Sequence, residues 1–153
     1  MKTYHSLSSG ETELLGEILA RQAKNSRLKA RDSGFALVFA LRGALGSGKT
    51  TFVKGFFRGL GAKSRAKSPT FIIMRRSEIR GRIFTNVFHI DAYRLRRPED
   101  LLVVDLKTIF GNPKNIILVE WPENVKGIIP RGAHWLEFRC GKKENERTII
   151  TKS

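Results

Sequence analysis

An apolar run, Phe35-Ala36-Leu37-Val38-Phe39-Ala40-Leu41, leads almost directly into Gly43-Ala44-Leu45-Gly46-Ser47-Gly48-Lys49-Thr50, and a segment of helical periodicity follows at Thr51 to Leu60. No other stretch of the chain narrows its fold as far. The octapeptide fits the phosphate-binding loop pattern, and a strand entering with a helix leaving is the setting that pattern requires. Its glycines let the backbone turn N–H groups around a phosphate, while the helix starting near Lys49 aims its positive dipole end at the same anion. In this reading Lys49 reaches the β- and γ-phosphates and the Thr50 hydroxyl ligates Mg²⁺. Gly43, Leu45, Gly46, Ser47, Gly48 and Thr51 complete the nucleotide-contacting set. The bland alternative is a glycine-rich turn between strand and helix.

The remaining elements follow from periodicity. Ser8-Ser9-Gly10-Glu11 has the look of a helix start, with Leu14, Leu15, Ile18 and Leu19 behind it, so a helix is expected from about Gly10 to Lys24. In the loop's own helix, Phe52, Val53, Phe56, Phe57 and Leu60 recur at helical spacing until Gly61 stops it. Phe71 to Met74 and Ile83 to Ile90 are β-rich runs joined by the polar Arg75 to Arg82, which predicts a hairpin. A short helix is expected from Pro98-Glu99-Asp100 through Leu106. Ile116 to Val119 suits the buried middle of a parallel sheet, and Trp135 to Phe138 with Arg147 to Thr151 predicts a closing hairpin. Strands and helices in this order indicate an α/β three-layer fold: a central, mostly parallel sheet plus antiparallel hairpin strands.

Length makes residues 1–153 a single domain in this reading, large enough for a full core. No stretch approaches the roughly 20 apolar residues of a membrane span, and no apolar signal core opens the chain, so a cytoplasmic protein is expected. One cysteine, Cys140, leaves no intrachain disulfide and no cysteine-based metal site. Twenty-nine Lys and Arg against 14 Asp and Glu give +15, a balance that suits a polyanionic neighbour such as RNA, a nucleotide or an acidic protein surface. Because the basic residues are scattered, a solvated basic face explains them equally well.

In open α/β sheets ligands sit at the carboxyl ends of the strands. Two acids stand there: Glu120 after Ile116 to Val119, and Asp91 after Val87 to Ile90. Glu120 occupies the position of a carboxylate for Mg²⁺ or for the attacking water, and for both acids a solvated strand end is the plain alternative. Thr70, in Ser68-Pro69-Thr70-Phe71, is placed where nucleotide switches put a threonine that senses the γ-phosphate; a plain turn is the alternative.

Taken together, the loop, Ser68-Pro69-Thr70-Phe71, His89-Ile90-Asp91-Ala92-Tyr93-Arg94-Leu95 and Val119-Glu120-Trp121-Pro122-Glu123 resemble the bacterial TsaE (YjeE) family of tRNA threonylcarbamoyladenosine biosynthesis. The resemblance runs from Ser9 to the last strand. It implies a small ATPase working with the TsaB and TsaD proteins, where TsaD modifies adenosine 37 of tRNAs reading ANN codons and ATP hydrolysis resets the complex. Contact with tRNA would then come through the complex. Lys49 would hold the phosphates, Thr50 and Glu120 the Mg²⁺, and Asp91 the water, although Asp91 and Glu120 could exchange roles. Thr12 matches a family threonine near the adenine, and Arg147 an arginine approaching the nucleotide. Ala44 stands where many members carry Asp, and Ala92 where Leu is common.

Two other classes fit parts of the chain. The loop also serves small-molecule or nucleoside kinases, although 153 residues leave little room for an arginine-bearing lid and an acceptor pocket. A basic RNA-binding module with a structural nucleotide site would use the +15 charge, but the chain has no paired aromatics or clamp loop of the common RNA-binding types.

Overall fold

The computed structural model describes residues 1–25, 34–63, 74–95 and 105–152. Seven strands form one sheet: β1 (Lys2–Ser6), β2 (Leu37–Gly43), β3 (Met74–Glu78), β4 (Asn86–Asp91), β5 (Asn115–Glu120), β6 (His134–Cys140) and β7 (Arg147–Lys152). Their order is β1-β7-β6-β2-β5-β4-β3. β6, β2, β5 and β4 run parallel, whereas β1 with β7, β7 with β6 and β3 with β4 pair antiparallel. This is the parallel centre with antiparallel flanks expected from the sequence. All six residues of β5 are buried, because parallel neighbours hold both its edges and other elements cover both its faces.

Two helices cover one face: α1 (Ser9–Asn25) and α2 (Lys49–Leu60). Phe52, Phe56, Phe57 and Leu60 of α2 pack there on Phe39, Leu41, Leu118 and Phe138. The opposite face packs Val38, Phe88, Ile90, Ile117 and Val119 against α3 (Leu106–Phe110) and a 3₁₀ helix at Pro122–Ile128. Those two cores make the three layers.

The start of α1 is a capping arrangement: the Glu11 N–H donates to Ser8 Oγ, and the Glu11 carboxylate reaches back to the N–H of Leu7. The buried stripe of α1 differs from the leucine-based expectation. Leu14 and Ile18 are exposed, whereas Thr12, Leu15, Gly16, Ala20 and Ala23 are buried. Close contact between helices explains the difference. A Cβ on Gly55 of α2 would lie 1.9 Å from the Glu13 carbonyl oxygen, so the two backbones meet with no side chain between them at that point.

Three further stretches depart from the sequence reading. β2 begins at Leu37 and continues to Gly43, leaving Phe35 exposed. β3 occupies Met74–Glu78, so Arg75 to Glu78 of the stretch read as a turn are an edge strand whose arginines reach solvent, and the connection lies further on; Phe71 to Ile73 of the expected run lie outside the described residues. β1 was not anticipated, because only Ser6 of its five residues is buried. α3 begins after Asp105, whose side chain caps it by accepting from the N–H of Thr108; the expected start at Pro98 to Asp100 lies outside the described residues.

Candidate functional site

The phosphate loop, the first turn of α2 and the carboxyl ends of β4 and β5 converge on a cleft of about 200 Å³. Leu45 to Thr51 line one side, and Asp91, Tyr93, Glu120 and Trp121 line the other. Gly48 caps α2 in a left-handed conformation at φ 96° with no side-chain cap hydrogen bond. The helix's first N–H groups are thus left to an anion rather than to a capping side chain.

Lys49 is buried, and its ammonium donates to the carbonyls of Gly43 and Ala44, each at 2.8 Å. It also sits 4.1 Å from the Trp121 ring centroid, within cation–π range. Burial pushes the lysine below its ordinary pKa, while Glu120, Glu123 and Asp91 pull it back up. Trp121 has a left-handed backbone at φ 58° and packs 5.0 Å, centroid to centroid, from Tyr93.

Glu120 is nearly inaccessible to solvent. The Thr50 hydroxyl lies 3.0 and 3.1 Å from its two carboxylate oxygens, and His89 Nε2 lies 2.9 Å from Oε1. Asp91 sits directly opposite Glu120 in the parallel register and accepts from the N–H of Tyr93 through Oδ1. The two strand-end acids are therefore adjacent but differently bonded, one to the loop helix and one to its own turn. No group of three or more His, Cys, Asp or Glu suited to a metal occurs among the described residues. A hydroxyl and a carboxylate are hard oxygen donors, and such a pair fits Mg²⁺, which keeps several waters and takes its other ligands from phosphates.

The outer candidates are placed as follows. Arg147 donates to the carbonyl of Gly46 at 3.0 Å and to those of Glu144 and Glu146, so it clasps the loop from β7. Thr12 lies beneath Gly48, buried, with its hydroxyl bonded to Ser6 Oγ and to the Ser8 carbonyl. Leu45 is exposed at the loop's tip. Thr70 lies outside the described residues. Glu123 was not singled out from the sequence, yet its Oε2 is buried with no hydrogen-bond partner among the described residues. Its only signal was its place in Glu-Trp-Pro-Glu.

A family model described as threonylcarbamoyl adenosine biosynthesis protein TsaE matches residues 6–149. Among curated relatives, the tRNA threonylcarbamoyladenosine biosynthesis protein TsaE of Haemophilus influenzae is 38% identical over 95 residues, 62% of this chain and 58% of that protein. Its counterpart in Treponema pallidum is 36% identical over 114 residues, 74% of this chain and 80% of that protein. The crystal structure of YdiB from Bacillus subtilis superposes with a TM-score of 0.70 and 27% identity, covering 98% of this chain and 84% of that one. On the extent of the family match, this chain belongs to the TsaE family.

Proposed function

We propose that this chain is a Mg²⁺-dependent ATPase of tRNA threonylcarbamoyladenosine biosynthesis that hydrolyses ATP in association with the TsaB and TsaD proteins, in the cytoplasm. The observation that carries the reading is the convergence of Lys49, Thr50 and Glu120 at one helix N-terminus, with Asp91 on the next strand end. Family membership supplies the pathway.

In this reading Lys49 and the loop N–H groups bind the triphosphate, and Thr50 with Glu120 holds the cation. A cation held there would neutralise charge on the bound phosphates. Glu120 fits the metal side because it faces Thr50. Asp91 bonds to its own turn through the N–H of Tyr93, and its strand-end position suits a carboxylate that orients water for attack on the γ-phosphate. Thr12 and Arg147 would support the loop from below and beside it.

The test separates binding from turnover in the presence of the TsaB and TsaD proteins. Asp91→Asn should keep Mg²⁺-dependent ATP binding and lose turnover by about 10²-fold or more. Glu120→Gln should weaken the Mg²⁺ dependence of binding itself, and Lys49→Ala should weaken binding with or without the cation. Phosphate should appear in water and on no acceptor. A phosphorylated acceptor, or no association with TsaB and TsaD under any nucleotide condition, would refute the assignment.

A further inference from the structure

We propose that His89 is a positioning residue: its Nε2–H holds the Glu120 carboxylate in the orientation that faces Thr50. The inference rests on the reading of Glu120 as the metal-side carboxylate.

The sheet register puts the two residues on one face. His89 lies opposite Leu118 on the parallel neighbour, and Leu118 and Glu120 point the same way because side chains alternate. His89 is wholly buried, its Nε2 lies 2.9 Å from Glu120 Oε1, and the Phe57 ring of α2 meets the imidazole edge-on at 6.4 Å. The ring is thus held between the strand end and the helix that begins with Lys49. With Glu120 as acceptor, Nε2 carries the proton that makes this bond, and Nδ1 is the ring's other nitrogen. That nitrogen is buried and has no hydrogen-bond partner among the described residues, so among these residues the bond to Glu120 is what anchors the ring's polar end.

The carboxylate needs such an anchor. A glutamate's terminal torsion is soft, and the Lys49 ammonium is a competing partner whose charge already couples to Glu120. Thr50 has a single proton to give and lies almost equidistant from both oxygens, so it fixes the distance of the carboxylate better than its rotation. His89 binds one oxygen and breaks that symmetry, leaving Oε2 for the cation side. A bond of this kind to a metal-ligating carboxylate typically changes metal affinity by about 10- to 100-fold.

The test measures, by titration calorimetry, how far Mg²⁺ tightens binding of a non-hydrolysable ATP analogue to the full chain. His89→Phe keeps a buried ring and removes the donor, whereas His89→Gln keeps an N–H. In His89→Phe the tightening by Mg²⁺ should fall about 10-fold or more while affinity in EDTA stays unchanged, and His89→Gln should restore much of it. Equal Mg²⁺ tightening in His89→Phe and the unsubstituted chain overturns the inference. So does a parallel loss with and without the cation, which marks a purely structural role. Glu120→Gln separates the layers: if it abolishes the tightening while His89→Phe preserves it, only the positioning role falls. If it leaves the tightening intact, the metal reading of Glu120 falls, and the positioning role with it. Should His89→Phe not fold, imidazole ¹⁵N spectra of the unsubstituted chain decide the matter. Nε2 must remain protonated and bonded when Mg²⁺ and analogue are added, and loss of that bond refutes the proposal.

Discussion

Thr12 shows how one hydroxyl ties the outer edge of the sheet to the loop. Its oxygen lies 2.8 Å from that of Ser6, its methyl lies under Gly48, and both residues are buried. Thr12→Val keeps the shape but leaves Ser6 Oγ without this partner, so denaturant unfolding should show a loss of about 1–3 kcal/mol. Adding Ser6→Ala should recover part of that loss, because the orphaned polar atom is removed too; strict additivity would show that the bond contributes nothing. Trp121 is the other telling residue. A non-glycine residue in the left-handed region costs roughly 1–2 kcal/mol, and here that conformation accompanies a ring set against both Lys49 and Tyr93.

Among elements, the pairing of α1 with α2 is the most exposed to a single change. Gly55→Ala would drive a methyl into the Glu13 backbone, and overpacking of this kind costs about 1–3 kcal/mol or more. Gly127→Ala, in the 3₁₀ helix, meets open space and should leave the urea midpoint nearly unchanged. Similar midpoints for the two variants would mean that the helices can separate without cost. This seam also marks where the sequence ceased to be legible. The strand–loop–helix unit, β5, and the strand-end acids Asp91 and Glu120 could be read because apolar runs and a spaced motif announce them. The stripe of α1 could not, because a contact made by Gly16, Ala20 and Gly55 has almost no hydrophobic signature. Nor could β1, whose five residues bury one serine. The His89–Glu120 bond escaped for another reason: it depends on the register between two strands distant in sequence.

At the scale of the whole molecule, +15 on 153 residues is a repulsive load. Raising NaCl from about 20 to 200 mM shortens the Debye length from roughly 20 to 7 Å, so thermal scans should show Tm rising by a few degrees. A flat or falling Tm would mean that local ion pairs, such as Arg58 with Glu13 and Lys152 with Glu137, already offset the excess. The pairing of β1 with β7 has a mechanical side. Their register runs from Lys2 opposite Thr151 to Ser6 opposite Arg147, and Arg147 clasps the loop. Tension or fraying that begins at the outer rungs of this ladder must open it one rung at a time, and it reaches the clasp last. The sheet's margin thus works as a zipper whose final tooth is the phosphate loop.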